Sequence, residues 1–371
     1  MKFSTDRKIL TKALSQIQGL TDRKTDFAIT SDVLIKAFGS EITITANNLQ
    51  TIFQGKYDAE IESEGIISIN SKKLYEITKE YPDSKILLSE IEDRWVEIGE
   101  GNIQYHMVLS DFENFIKIPI VEDISFVDIS VSFLKKMIEI SSIINFSREE
   151  KRIYVLGTLI EKISKENKNY LRVVSTDSRR ITCIDVEYKG KFINNNKNII
   201  IHKKSIAELG NIFSRDENIR IGVKKDYLIV KKDNETIMVK LLSGEYPDYR
   251  YIINIEDKVP IEIEKNMFLL MMKRMSILTS DDYRSVILSF KKNSLAVTLT
   301  NPEIGESKEE ININYQGDFV ETAFNPRYFI DALKLVKSDT IVMYIKDNKN
   351  PCIIKGIDND NLICAVMPMF I

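Results

Sequence analysis

The sequence repeats one pattern of elements three times, and this repetition constrains the fold of the 371-residue chain more than any single motif does. Each copy is centred on a short segment: Asn70–Ile77, His202–Leu209 and Asn325–Ala332. In each segment an apolar residue stands fifth, an acid seventh and an apolar residue eighth, a spacing that predicts a short helix with one buried face. An apolar, β-branched run precedes each segment and a strand–turn–strand pattern follows it, so each third predicts the same helices and strands.

A second amphipathic helix is predicted at the start of each third. The apolar faces of these helices are Leu10, Ala13, Leu14 and Ile17, then Phe133, Met137, Ile140 and Ile144, then Met267, Leu270, Met271 and Met275. Corresponding points recur at intervals of about 120 to 135 residues. We therefore predict an α+β protein of three similar domains, 1–125, 126–254 and 255–371, each with two helices packed on antiparallel β-sheets.

The placement of basic residues is more informative than the net charge of −3, which does not indicate a protein that binds DNA by charge alone. Cations in the first turn of a helix oppose its dipole at a cost of about 0.3 to 1 kcal/mol each, and a nearby polyanion would offset that cost. Ordinary solvated helix faces are the alternative for any one residue, but basic helices recur in all three thirds. The residues predicted to face DNA are Arg23, Lys24, Lys72, Lys73, Arg148, Lys151, Arg152, Lys203, Lys204, Arg284 and Arg327.

The rest of the composition indicates a reduced, cytoplasmic protein with no metal or other cofactor. The three cysteines, Cys183, Cys352 and Cys364, are odd in number and lack metal-ligand spacing. The charged start of the chain does not have the apolar run of a secretory signal. No stretch approaches the roughly 18 apolar residues that a membrane span needs.

Short motifs then occur in a fixed order along the whole chain. They are Met1–Phe3, Tyr154–Gly157, Thr176–Arg180, Ser243–Arg250, Phe324–Tyr328 and Val366–Ile371. Thr-Asp-Ser-Arg-Arg resembles the Thr-Asp-Gly-His-Arg signature of the bacterial beta sliding clamps, the beta subunits of DNA polymerase III. Ser-Gly-Glu-Tyr-Pro-Asp-Tyr-Arg resembles their Gly-x-Phe-Pro-Asp-Tyr-Arg segment, and the last six residues resemble Val-Met-Pro-Met-Arg-Leu. Any one motif is weak, but the ordered set is specific.

This resemblance implies a head-to-tail homodimer in which six similar domains form a closed ring, with helices lining the channel. Such a ring is a processivity factor and not an enzyme. It would encircle duplex DNA without sequence preference and tether the DNA polymerase III alpha subunit, the clamp loader, other polymerases and repair proteins. Because a closed ring cannot fall off, moderate attraction to phosphates is sufficient.

The resemblance also implies a cleft beside the C-terminus that takes short partner peptides carrying glutamine and bulky apolar residues. By matching position, the cleft residues are Val155, Thr176, Ser178, Arg179, Arg180, Ile181, Pro247, Ile252, Asn325, Tyr328, Pro351, Ala365, Met367, Pro368 and Met369. Four departures from the family pattern leave the peptide preference open: Ser178 for glycine, Arg179 for histidine, Tyr251 for arginine and Phe370 for arginine.

The same matching places the joint of the ring at two apolar pairs. Tyr105 and Met107, on an edge strand of the first domain, are expected to face Ile277 and Leu278 of another subunit's third domain. An apolar strand edge would be an aggregation hazard in a monomer, and pairing removes it. The alternative is that Tyr105 and Met107 face their own domain's core.

Two other classes of function remain open at this level. A β-rich monomeric binding or scaffold protein could use the same fold without encircling DNA. A metal-dependent nuclease could use Asp177, Asp281 and Asp282, although the two histidines, His106 and His202, lack partners at catalytic or metal-ligand spacing.

Overall fold

Helices and strands alternate in the order that the repeat predicts. The structure is a computed structural model, and it describes residues 1–21, 30–92, 94–112, 115, 124–144, 150–188, 199–213, 218–358 and 361–369. Its helices are α1 (Arg7–Thr21), α2 (Ser71–Glu80), α3 (Val131–Ser142), α4 (Ile153–Leu156), α5 (Lys203–Ile212), α6 (Lys265–Met275) and α7 (Pro326–Leu335). None of the helices in these ranges is long and apolar enough to cross a membrane.

The strands are short and antiparallel throughout. The first thirteen are β1 (Lys2–Asp6), β2 (Asp32–Phe38), β3 (Glu41–Asn47), β4 (Thr51–Asp58), β5 (Glu60–Ser63), β6 (Gly65–Asn70), β7 (Lys85–Glu92), β8 (Trp95–Glu100), β9 (Ile103–Val108), β10 (Val127–Ser130), β11 (Gly157–Lys165), β12 (Lys168–Thr176) and β13 (Arg180–Glu187). The others are β14 (Ile199–His202), β15 (Asn218–Lys224), β16 (Tyr227–Lys232), β17 (Glu235–Lys240), β18 (Val259–Glu264), β19 (Val286–Lys291), β20 (Ser294–Asn301), β21 (Gly305–Asn312), β22 (Val320–Phe324), β23 (Thr340–Ile345), β24 (Cys352–Gly356) and β25 (Leu362–Val366).

The chain forms two compact units, each built on two sheets. The first unit has a five-stranded sheet in the order β5-β1-β7-β8-β9 and an eight-stranded sheet in the order β10-β15-β16-β17-β4-β3-β2-β6. The second has an eight-stranded sheet in the order β14-β11-β12-β13-β25-β24-β23-β18 and a four-stranded sheet in the order β21-β20-β19-β22. Each eight-stranded sheet therefore combines strands from two of the three predicted domains.

Backbone pairing joins the predicted domains at two places. In the first unit β17 pairs with β4, with Ile237 opposite Phe53, and in the second β13 pairs with β25, with Ile181 opposite Ala365. Strands of the predicted middle domain, residues 126–254, thus contribute to both units. The boundaries at 125 and 254 remain predictions, because sheets that continue from one predicted domain into the next do not mark them.

The three short repeated helices form as predicted. Asn70 caps α2 by accepting from the Lys73 N–H at 3.0 Å, and Asn325 caps α7 by accepting from the Arg327 N–H at 3.0 Å. Pro326 occupies the first turn of α7, where its fixed φ and missing donor cost nothing. The opening helix of the first third also forms, since α1 buries Leu10 and three further predicted apolar residues.

The predicted apolar face of α6 is partly wrong. Met271 and Met275 are buried, but Met267 is 37% exposed and Leu270 is 50% exposed. Phe268 and Met272 take their places, which gives buried positions at i, i+3, i+4 and i+7 of one continuous stripe. Glu264 is the N-cap of this helix, so α6 begins at Lys265.

Aromatic packing holds the first turn of α7 against α6 and β22. Phe329 is fully buried and makes edge-on contacts with Phe268 of α6 and Phe324 of β22, at centroid distances of 5.6 and 5.2 Å. Such pairs add to the burial of apolar area. Because Tyr328 immediately precedes Phe329, the burial of Phe329 also fixes where Tyr328 lies.

A buried ion pair links β12 to β13 behind this region. Arg172 donates to both carboxylate oxygens of Asp185, at 2.7 and 2.8 Å, and Lys165 pairs with the same carboxylate. Burial alone would raise the pKa of Asp185, but the hydrogen bonds from Arg172 and Lys165 outweigh it and lower the pKa. The ionised carboxylate is therefore more stable in the folded chain than in the unfolded one.

Asp185→Asn should lower the free energy of unfolding of the second unit by about 3 kcal/mol at pH 7, because Arg172 would keep a buried charge without its carboxylate. A lowered folded pKa gives stability that is complete above the unfolded value of about 3.9 and is lost as the pH falls through the folded value. The deficit of the variant should therefore shrink on acidification below about pH 4. Urea unfolding followed by circular dichroism from pH 7 to pH 3 measures it. The matched control is Glu187→Gln, whose pair with Lys168 is exposed. A deficit that stays constant with pH would contradict the assignment.

Candidate functional site

The turn between β12 and β13 is held by its own side chains. Thr176 Oγ1 donates to the Arg180 carbonyl at 2.7 Å and accepts from the Ser178 N–H at 3.1 Å. Asp177 Oδ1 accepts from the N–H groups of Arg179 and Arg180, both at 3.0 Å. This pattern explains the Thr-Asp pair in the motif, because each side chain satisfies backbone donors that the turn removes from the sheet.

Ser178 occupies a backbone conformation that favours glycine. Its φ is +76°, in the left-handed region, where the family signature has glycine. The serine keeps the turn and adds an acceptor, since Arg152 Nη1 donates to Ser178 Oγ at 3.1 Å. The first departure from the family pattern therefore changes the surface of the turn and preserves its backbone.

Arg180 lies in the interior of the site and is fully engaged. Its guanidinium donates to Asp177 Oδ2 at 3.0 Å, to Asp331 Oδ2 at 2.8 Å and to the Ile143 carbonyl at 2.7 Å. The same group lies over the ring of Tyr328, 4.5 Å from its centroid. Arg180 therefore joins the turn to α7 and positions Tyr328.

The C-terminal strand runs beside this turn. β25 pairs with β13, and the register places Val366 opposite Arg180. Beyond the strand, the Met367 N–H donates to the Arg179 carbonyl at 2.8 Å and the Met369 N–H donates to the Ala323 carbonyl at 2.8 Å. These two hydrogen bonds hold the segment 367–369 between the turn and β22.

Five of the predicted cleft residues line one open cavity of about 290 Å³. They are Arg179, Tyr328, Met367, Pro368 and Met369. Four of the five present apolar or aromatic surface, and Arg179 supplies a cation. The cavity can take a bulky apolar side chain with a polar or acidic neighbour.

A second, more polar cavity of about 210 Å³ shares Tyr328 with the first. Of the predicted residues it brings together Arg180, Asn325, Arg284 and Arg327. Residues predicted for the cleft and for the DNA-facing surface therefore meet at Tyr328.

The other predicted cleft residues divide into two groups, and none of them lines the first cavity. The buried group is Val155, Thr176, Arg180, Ile181, Pro351 and Ala365. Ser178 and Pro247 are exposed, and Ile252 and Asn325 are partly exposed. Of the departures noted above, Tyr251 is 74% exposed and Phe370 lies outside the described residues.

Most of the described residues predicted to face DNA are exposed. The exposed cations in the first turns of the three repeated helices are Lys72, Lys73, Lys204 and Arg327. Those in loops are Lys151, Arg152 and Arg284. Three further predicted residues, Arg23, Lys24 and Arg148, lie outside the described residues. The structure is therefore compatible with a basic surface, and DNA contact remains a prediction.

Lys203, unlike the other described residues of this set, is buried. Its side chain is only 6% exposed, because it directly follows the buried strand β14. Burial lowers its pKa to about 8, an effect that the Asp177 charge opposes and the Arg180 charge reinforces. The prediction of an exposed, DNA-facing cation is wrong at this position, and Lys203 belongs to the buried surroundings of the turn.

The residues predicted for the ring joint lie on exposed surfaces of their own units. β9 is the edge strand of the five-stranded sheet, and Tyr105 on it is 42% exposed while Met107 is partly buried. Tyr105 therefore does not pack into its own core. In the other unit Ile277 is 74% exposed and Leu278 is partly exposed, on the 3-10 turn that follows α6.

The sequence comparison of motifs missed Asp331, which holds Arg180. A signal was present, because Asp331 is the acid at the seventh position of the repeated segment. The corresponding acids have other partners: Glu76 pairs with Lys73 at 2.8 Å, and Glu208 accepts from Thr51 at 2.7 Å. The position is repeated, but its role differs in each third.

The acids considered for a nuclease do not form a metal site. Asp177 is bound to Arg180, and Asp281 and Asp282 are exposed. Among the residues that the structure describes, no group of three or more histidine, cysteine, aspartate or glutamate side chains could hold a metal ion.

Comparison with known proteins gives one consistent result along the chain. Three domain families match in order: the DNA polymerase III beta subunit N-terminal domain over residues 1–119, the central domain over 128–248 and the C-terminal domain over 250–370. A beta sliding clamp from Chlamydia pneumoniae is 28% identical over 375 residues, which cover 100% of this chain and 99% of the relative.

Solved structures show the same fold. Pol III beta from Caulobacter crescentus superposes with a TM-score of 0.90 at 22% identity. A sliding clamp from Bartonella birtlesii bound to griselimycin superposes with a TM-score of 0.87 at 24% identity. Each alignment covers 100% of both chains.

Asp177→Ala should lower the free energy of unfolding of the second unit by about 2 to 3 kcal/mol, because Arg180 loses a partner and two backbone donors lose their acceptor. Asp248→Ala is a matched control, since Asp248 also accepts from a backbone N–H two residues on and pairs with an arginine, but its side chain is 65% exposed. The control should change stability by less than about 1 kcal/mol. Urea unfolding followed by circular dichroism compares the two, and equal losses would contradict the role given to Asp177.

Proposed function

Because the chain belongs to the DNA polymerase III beta subunit family, the beta sliding clamps, we propose that two copies close head to tail into a ring around duplex DNA. The ring would slide on the duplex and tether the polymerase and other replication and repair proteins in the cytoplasm. Its role is mechanical, with no catalytic step. The observation that carries the tethering role is the cavity of Arg179, Tyr328, Met367, Pro368 and Met369, since all five residues were predicted for the cleft.

The exposed edge of the first unit supports ring closure. An edge strand presents unpaired N–H and C=O groups, and an apolar one invites aggregation unless it is covered. On β9, Tyr105 is 42% exposed and Val108 is 54% exposed. A second copy that supplies Ile277 and Leu278 would cover this apolar surface. A closed ring of two chains has two such joints, which are equivalent by symmetry.

The exposed basic residues support a weak, sliding contact with DNA. Lys72, Lys204 and Arg327 lie in the first turns of three different helices. Charges spread in this way attract phosphates without reading bases. Since encirclement would prevent dissociation, the attraction need only keep the duplex centred.

The cavity supports the docking of an apolar peptide segment. Methionine side chains adapt to several shapes, and Met367 and Met369 are partly exposed and line the cavity. Tyr328 adds a rigid aromatic wall held by Arg180. Adaptable walls beside a fixed one suit a site that serves several partners in turn.

Ring closure predicts a dimer that depends on the joint. Native mass spectrometry at low micromolar concentration should give twice the chain mass of 42.8 kDa. Ile277→Asp should shift the population to single chains, because it places a charge in an apolar contact. Ile357→Asp is the control, since Ile357 is also exposed in the second unit but lies outside the predicted joint. A single-chain mass for the unmodified protein would contradict the ring.

A further inference from the structure

We propose that Arg179 makes the cleft selective for peptides with an acidic residue beside the apolar side chain that fills the cavity. The inference rests on the proposed tethering function and adds a chemical class of partner to it. Arg179 stands where the family signature has histidine, and it lines the cavity with Tyr328, Met367, Pro368 and Met369. Arginine carries a permanent charge where histidine carries a titratable one.

Two arginines beside the turn, Arg152 and Arg180, are already paired with acids. Arg152 makes a two-pronged contact with Glu150, at 2.9 and 2.7 Å. Arg180 is held by Asp177 and Asp331. Neither arginine therefore has an uncompensated charge to offer a ligand.

Asp177, the acid nearest to Arg179 in sequence, already has both carboxylate oxygens hydrogen-bonded. Asp177 Oδ1 accepts two backbone N–H groups, and Asp177 Oδ2 accepts from Arg180 Nε. Within the described part of the chain, Arg179 forms no salt bridge, and its side chain is exposed. Lys203 adds a further cation to the surroundings of Asp177. The local charge is thus positive, and Arg179 is the cation at the cavity wall.

The charge of Arg179 stands beside mostly apolar surface. Tyr328, Met367, Pro368 and Met369 present apolar surface in the same cavity as Arg179. A carboxylate there can accept two hydrogen bonds from an arginine fork. Because Arg179 stays solvent-exposed, the gain is moderate, and we expect a two- to fivefold preference for the acidic peptide, about that of an exposed ion pair.

The test uses a set of fluorescent peptides with one glutamine, two leucines and a C-terminal phenylalanine, in which aspartate or asparagine occupies each remaining position in turn. Fluorescence anisotropy measures binding to the full-length protein, to Arg179→Gln and to Arg179→His. Lys162→Gln is the control, since it removes one exposed cation from the same unit away from the cavity. Met367→Ala reports on the cleft itself.

The expected result is that at least one aspartate peptide binds two- to fivefold more tightly than its asparagine twin. Arg179→Gln should bring that pair within experimental error of each other, whereas Lys162→Gln should keep the difference. Equal binding of both twins to the unmodified protein, with weaker binding to Met367→Ala, would overturn the selectivity and leave the tethering function standing. A preference that survives in Arg179→Gln would also overturn it. If no peptide binds, or Met367→Ala has no effect, the proposed tethering function fails as well.

Discussion

Antiparallel backbone pairing is the constraint on which the rest of the structure depends. β17 continues into β4 and β13 continues into β25, so the strands of the middle third complete sheets that begin in the first and last thirds. Inside such a sheet the backbone N–H and C=O groups of each strand are hydrogen-bonded to its neighbours. Only the outermost strands have an edge whose groups lack a partner strand. β9 is an outermost strand of the separate five-stranded sheet, whose strands all come from the first third, and Tyr105 is exposed on it. The unpaired edge of this five-stranded sheet is therefore the surface at which a second chain is proposed to add.

The same pairing builds the cleft. β13 and β25 bring the turn at Asp177 and the C-terminal segment together, although almost 190 residues separate them in sequence. Arg180 then connects this pair of strands to α7 through Asp331 and the ring of Tyr328. A buried guanidinium with three acceptors has one geometry, so the wall that it supports is rigid. The methionines on the other side remain adaptable, and Arg179 can differ from the family without disturbing the frame.

Much of this was predictable from sequence, because helix periodicity and capping are local. The caps at Asn70 and Asn325 and the buried face of α1 follow from spacing alone. What depends on tertiary packing was not predictable in this way. The pattern on α6 offered two apolar faces, and burial of Phe268 in place of Met267 was decided by the neighbouring Phe329. Lys203 resembles Lys204 in sequence, and only its place after the buried strand β14 separates them. For the site, ordered motifs identified the cavity residues, but the motif gave no partner for Arg180.

Encirclement of DNA is a topological property, and retention on DNA tests it most directly. The protein is loaded onto a nicked circular plasmid with a bacterial clamp loader, and the DNA-bound fraction is measured by gel filtration at moderate salt before and after one restriction cut. A ring that encircles the duplex should stay on the circle and be lost after linearisation, because the duplex then has free ends. Equal loss from circular and linear DNA, or equal retention on both, would contradict encirclement.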